Sequence, residues 1–149
     1  VNVPHYTTSV RTPWPPERAF GYLSDLGHFA DWDPGVKRSV QVAGSGVGLG
    51  SEYDVTVGGV GRDLTLRYKT VAVDSPRRVE VRAETGILLS VDVMTFEEAD
   101  RGGCVVTYDA DLTLKGPRKV GNPALGLVFG RIGDRAAAGL RDALEGTTA

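Results

Sequence analysis

The chain has 149 residues, a formal charge of −2 and a pI near 5.7. That is one domain's length, and the charge balance gives no electrostatic case for nucleic acid or an anionic membrane as partner. At 41% hydrophobic and 24% charged residues, it has the composition of an ordinary globular chain able to bury a core without staples. Cys104 is the single cysteine, so no internal disulfide can form. No apolar run reaches the roughly 20 residues that span a bilayer. The N-terminus also lacks a basic-then-apolar leader pattern. The expectation is one cytoplasmic domain over residues 1–149.

Residues 5–11, with Tyr6, Thr7, Thr8 and Val10, predict a first strand. Pro13, Pro15 and Pro16 end it, and Pro15 or Pro16 suits the first turn of a helix. Ala19, Phe20 and Leu23 fall on one face of that helix. Asp25 caps a second short helix with Leu26 and Phe29 inward. The run Trp32-Asp33-Pro34-Gly35 stops it, because the residue before proline avoids the α region.

From Val36 the period changes to two. Strands are predicted over residues 36–42, 52–57, 64–68, 79–83, 88–96 and 106–114. Tyr53, Val55 and Val57 share a face, as do Leu64, Leu66 and Tyr68, and as do Val79, Val81 and Ala83. Gly58-Gly59-Val60-Gly61 reads as a hairpin turn. In the strand over 88–96, Ser90, Asp92, Met94 and Phe96 lie opposite Leu89, Val91 and Val93. In the last strand, Val106, Tyr108, Ala110, Leu112 and Leu114 lie opposite Thr107, Asp109, Asp111 and Thr113. Such alternation marks antiparallel strands with one wet face.

Asn122-Pro123 is an N-cap followed by proline at the first helical position. The helix it opens runs to about Leu144. Its apolar stripe is Leu125, Val128, Phe129, Ile132, Ala136, Leu140 and Leu144. Gly126, Gly130, Gly133 and Gly139 weaken it, each by up to about 1 kcal/mol relative to Ala. Docking must therefore stabilise this helix, and small residues either admit a neighbouring backbone or leave room for a guest. The economical way to bury the sheet face and the helix stripe is against each other, an α+β architecture.

This order resembles the START/Bet v 1-like superfamily, the helix-grip fold. Within it, the chain is similar to the bacterial polyketide cyclase/dehydrase and lipid-transport branch. The residues that carry the likeness are Pro16-Glu17-Arg18-Ala19-Phe20-Gly21-Tyr22-Leu23-Ser24-Asp25, then Phe29, Trp32 and Pro34-Gly35-Val36. The glycine loop ending at Gly50 before Tyr53 and the hairpin between Phe96-Glu97 and Thr107 also fit. The likeness spans nearly the whole chain. It implies about seven strands wrapped around the C-terminal helix, with a hydrophobic ligand between. Many members of the superfamily bind ligands without known catalysis, so fold alone supplies no reaction.

The run Gly44-Ser45-Gly46-Val47-Gly48-Leu49-Gly50 has neither dinucleotide-loop spacing nor a P-loop lysine, and a strand follows it. It reads as a flexible hairpin rim over a pocket mouth. His5, His28 and Cys104 are too far apart in sequence to suggest a metal site. His28 reads as an exposed helix residue, and Cys104, without a histidine partner, as structural. Trp14 and Trp32 read as core, with Trp32 also able to wall a pocket beside Phe29.

Asp92 has two readings. It faces the apolar interior, where burial would raise its pKa and fit it for ligand anchoring or acid/base work, or it faces solvent. The expected ligand wall comprises Phe29, Trp32, Tyr53, Leu66, Tyr68, Val81, Asp92, Met94, Phe96, Tyr108, Leu125, Phe129 and Ile132. The first expectation is binding of a hydrophobic small molecule such as a lipid or polyketide, by a monomer or weak homodimer, with no cofactor, metal, nucleic acid or integral membrane segment. The alternative is a cofactor-free cyclase, aromatase or dehydratase with Asp92 and Tyr108 as the proton-handling pair.

Overall fold

Alternating apolar residues build seven long strands that join a single antiparallel sheet. The computed structural model describes residues 5–58, 63–115 and 123–149, with backbone alone over 123–129. The long strands are β1 (His5–Thr12), β2 (Val36–Ala43), β3 (Glu52–Gly58), β4 (Asp63–Asp74), β5 (Arg78–Glu84), β6 (Leu88–Glu98) and β7 (Cys104–Leu114). Helix α1 (Pro16–Ser24) begins on proline, as the sequence predicts. The second short helix divides into a 3-10 turn (Leu26–His28), capped by the Asp25 carboxylate on Gly27 N–H, and a one-turn helix α2 (Phe29–Trp32). Helix α3 (Pro123–Ala143) is 21 residues long, or about 30 Å.

The expectation of about seven strands is corrected to eight. The strand order is β2-β3-β4-β5-β6-β7-β1-β8, where β8 is Thr147–Thr148, paired with Arg11 and Val10 of β1. The sequence Gly146-Thr147-Thr148 is too short to show a period. It joins the sheet because Glu145 takes φ 54° and the Gly146 N–H bonds the Arg141 carbonyl, which turns the chain back after α3. The likeness to the helix-grip fold holds: the sheet is curved and unclosed, and α3 serves as the gripped helix. Register shifts in the β2–β3 and β4–β5 pairs mark bulges that bend it. The turn expected at residues 58–61 falls mostly outside the described residues, although Gly58 and Asp63 pair across it.

Among the described residues, the core fills one end of the concave face. Phe20 of α1 packs edge-on against Phe96 at 5.4 Å, and Leu23, Leu26, Val10, Val55 and Val106 are fully or almost fully buried. Helix α3 is tied down at the same end. The Thr12 hydroxyl donates to the Leu144 carbonyl at 2.6 Å, and the Trp14 indole N–H donates to Glu145 at 3.2 Å.

Glycine explains how closely α3 docks. A Cβ at Gly139 would lie 1.8 Å from the Trp32 carbonyl oxygen, and one at Gly133 would lie 2.3 Å from the Tyr6 ring. Nothing lies within 4 Å of a Cβ at Gly130. Gly139→Ala should therefore destabilise the protein by roughly 1–3 kcal/mol despite its better helix propensity, because the clash is with backbone. Gly130→Ala should be neutral or stabilising by up to about 1 kcal/mol. Urea denaturation midpoints of the two variants check both signs; a stabilised Gly139→Ala would show that α3 is not docked on Trp32.

Candidate functional site

Beyond the packed end, the sheet and α3 diverge around a cavity of about 270 Å³. The boundary crosses the strands in step. On β6, Leu88, Ser90 and Asp92 line the cavity, while Met94 and Phe96 belong to the core. On β4, Leu66 and Tyr68 line it, and Thr70 is buried beyond. On β7, Tyr108, Ala110 and Leu112 line it. Residues 29–36 close one side through Phe29, Trp32, Asp33 and Val36, and Tyr6 and Thr8 come from β1. Among the described residues, helix α3 adds Ile132, Gly133, Ala136, Ala137 and Leu140 to the wall.

A polar ladder crosses this apolar floor. The Tyr108 hydroxyl donates to Asp92 Oδ2 at 2.5 Å, and the Ser90 hydroxyl donates to Asp92 Oδ1 at 3.4 Å. Tyr68 Oη lies 3.0 Å from Ser90 Oγ. With the Ser90 proton committed to Asp92, Tyr68 is the donor of that pair. The sheet register makes this reach possible. Tyr68, Ala83 and Ser90 occupy one row on β4, β5 and β6, and the small Ala83 lets the phenol pass over β5. Asp92 stands opposite Ala110, and Tyr108 reaches it diagonally from its place opposite Met94.

Asp92 thus faces the interior, which decides between its two sequence readings. Burial is the main cause that raises its pKa, from 3.8 to about 6, and the bonds from Tyr108 and Ser90 offset only part of the rise. The nearby carboxylates of Asp33 and Asp111 push in the same direction. Asp33, also buried, is raised by desolvation and partly held down by the Gly35 N–H on its Oδ1 at 2.8 Å. Burial likewise moves the Tyr68 and Tyr108 phenols upward, so both stay protonated donors.

Of the residues expected to form the wall, Phe29, Trp32, Leu66, Tyr68, Asp92, Tyr108 and Ile132 come together around the cavity. Tyr53, Val81, Met94 and Phe96 are buried but stand away from it. Tyr53 spends its hydroxyl on the Gly46 carbonyl, 3.1 Å away. The same carbonyl accepts from Ser51 and Gln41, each at 3.0 Å. The glycine loop over 44–50 is therefore pinned to its own hairpin and lines no part of the cavity, contrary to the expectation of a flexible rim. Leu125 and Phe129 lie where side chains are outside the described residues.

His28 is half-buried, stacked on Tyr22 at 4.5 Å, with Nδ1 2.8 Å from the Tyr22 carbonyl. Cys104 is fully buried in the core. The sequence reading missed Asp33, whose place before Pro34-Gly35 reads only as turn chemistry. It also missed the parts played by Ser90 and Ala83: the alternation put Ser90 on the face of Asp92 and Ala83 on that of Val79 and Val81, and only the register puts both in a row with Tyr68.

The chain matches the polyketide cyclase/dehydrase and lipid transport family over residues 3–145. It belongs to that family. Among solved structures, a START superfamily protein from Mycobacterium smegmatis superposes with a TM-score of 0.78 at 14% identity, covering 97% of this chain and 98% of that one. The ZhuI aromatase/cyclase from Streptomyces sp. R1128 gives 0.77 at 15% identity, covering 97% and 94%. The di-domain ARO/CYC StfQ of the steffimycin biosynthetic pathway gives 0.70 at 15% identity, covering 96% of this chain and 51% of that one. Likeness at these identities establishes the fold that this polyketide cyclase/dehydrase and lipid transport family member shares with them. No curated protein matches the chain significantly. Among the described residues, no helix is long and apolar enough to cross a membrane.

The shift at Asp92 has a stability consequence of fixed sign. The folded state holds the Asp92 proton more tightly than the unfolded chain does. The resulting stabilisation is complete below about pH 4 and lost as pH rises through 6, a change of roughly 3 kcal/mol at most. Asp92→Asn removes this group from the titration. The variant should be more stable than wild type at pH 7.5, and the gap should close as pH falls to 4. Parallel stability curves from urea titrations would show that Asp92 is not buried as described.

Proposed function

We propose that this protein binds a hydrophobic small molecule in the space between the sheet and α3, with lipid-like and polyketide-like compounds as the expected classes. The carrying observation is the cavity itself, whose apolar walls hold one hydrogen-bonded polar ladder at the floor. Ligand sites are commonly built this way, from apolar surface with a few fixed polar groups. Phe29, Trp32, Leu66 and Ile132 supply contact area, while Tyr68, Asp92 and Tyr108 orient the ligand. The buried Trp32 indole N–H has no acceptor among the described residues, so a ligand oxygen within its reach would gain a hydrogen bond. At about 270 Å³ the volume sits just under the usual range of roughly 300–1,000 Å³, which favours a compact molecule over a two-chain lipid.

Trp14 and Trp32 are the only tryptophans, so Trp14→Phe leaves Trp32 as the sole indole reporter. Titrating this variant with a solvatochromic apolar dye should quench or shift Trp32 emission and turn on dye fluorescence together, at one-to-one stoichiometry. Native mass spectrometry should find a compact apolar guest after expression in a lipid-rich host. Exclusion of the dye and absence of any guest would defeat the binding reading.

A second reading draws on the Asp92–Tyr108 pair. A carboxyl group near pKa 6 bonded to a protonated phenol can exchange protons close to neutral pH, as general acid/base catalysis requires. In a cyclase or dehydratase reaction, ionised Asp92 would remove a proton from carbon beside a carbonyl, and Tyr108 would donate to the oxyanion that forms. Asp92→Asn would then cut turnover of a poly-β-ketone substrate by at least about a hundredfold while sparing dye binding. Turnover unchanged in that variant would remove this reading.

A further inference from the structure

The charge inside the cavity is one-sided. Asp33 and Asp92 both line it, at 7% and 4% exposure, from opposite layers of the fold. No lysine, arginine or histidine lines it among the described residues, and neither aspartate has a salt-bridge partner there. Each is raised partly or wholly by desolvation, which is the mark of a buried carboxylate whose charge is not compensated by a cation.

Between the two runs a continuous aromatic belt. Tyr68 meets Phe29 edge-on at 6.2 Å, Phe29 stacks on Trp32 at 5.0 Å, and Trp32 meets Tyr108 edge-on at 5.7 Å. All four rings line the cavity. Ring faces carry negative quadrupole charge and attract cations, most strongly where water is excluded. The two carboxylates act with one sign on a guest, and a ring whose face meets it adds to that sign.

We propose that the guest is a hydrophobic cation: an amine-bearing small molecule whose ammonium group sits in the part of the cavity between Asp92 and Asp33, while its apolar body fills the space under α3. The inference rests on the binding reading above and narrows it. A cation supplies the missing counter-charge and relieves the cost of burying the carboxylates. An anionic guest such as a fatty acid carboxylate meets repulsion at the same place.

Three probes of nearly one shape test it: naphthylmethylamine, naphthylmethanol and naphthoate, titrated into the full chain at pH 7.5 by calorimetry. The amine should bind at least roughly tenfold tighter than the alcohol, and naphthoate weakest of the three. Asp92→Asn and Asp33→Asn preserve shape, since each keeps an oxygen acceptor for Tyr108 or for Gly35 N–H. Each should weaken the amine by a larger factor than the alcohol, and the double variant should erase the preference. Alcohol or naphthoate binding as tightly as the amine overturns the proposal. If none of the three binds while the solvatochromic dye still enters, the cationic-guest proposal falls and the cavity reading stands. If the dye is excluded too, both fall.

Discussion

The carbonyl oxygen of Trp32 lies where a side chain at position 139 would have to be, and this single close approach sets the geometry of the molecule. It fixes α3 against the turn after α2, while Tyr6 against Gly133 fixes the same helix against β1. The bonds from Thr12 to Leu144 and from Trp14 to Glu145 anchor the far end. Helix α3 is thus held by backbone-close contacts at Gly133 and Gly139 together with the buried Leu140 and, just beyond its end, Leu144. Among the described residues it lines the cavity with Ile132, Gly133, Ala136, Ala137 and Leu140, and a space remains between these and Tyr68 and Asp92. The small side chains at Gly133, Ala136 and Ala137 leave room for that space.

The floor shows a second choice of the same kind. A carboxylate, a serine and two tyrosines stand where Val or Leu would pack well. Burying such a ladder gives little net stability, since each bond replaces one made with water. Removing the charge is expected to gain stability at neutral pH, because the pKa of Asp92 is raised rather than lowered. A group that costs stability in the resting protein and is held in place by two hydrogen-bonding neighbours has its use in contact with something else. Asp33 repeats the pattern from the opposite layer, with Gly35 N–H as its only hydrogen-bond donor among the described residues.

Much of this was legible in the residues, and the boundary of legibility has physical causes. Sequence patterning placed all seven long strands and separated the two faces on most of them, because one face of an antiparallel sheet is buried and the other wet, but it left open which face of 88–96 turns inward. It could not say how far along each strand the filled core ends and the void begins. That depends on where α1 and α3 cover the sheet, so Met94 and Phe96 shared a face with Asp92 yet stand in the core. Tyr53 was indistinguishable from Tyr68 in the sequence, and the difference lies in a long-range partner, the Gly46 carbonyl. Asp33 was hidden by its own local chemistry, since Asp-Pro-Gly is sufficient reason for an exposed turn and the burial comes from α3 lying over it. β8 escaped because two residues carry no period.

The central claim, that an unfilled space under α3 receives the guest, is tested most directly by filling it. Ala110 projects from β7 into the cavity opposite Asp92. Ala110→Leu adds apolar volume there and leaves the residues of the ladder themselves unchanged. If the space is empty, the added side chain buries new surface and the variant gains roughly 1–2 kcal/mol in urea denaturation, while uptake of an apolar dye is lost. Destabilisation by roughly 1–3 kcal/mol with dye uptake unchanged would mean that the region is already packed and the guest, if any, sits elsewhere.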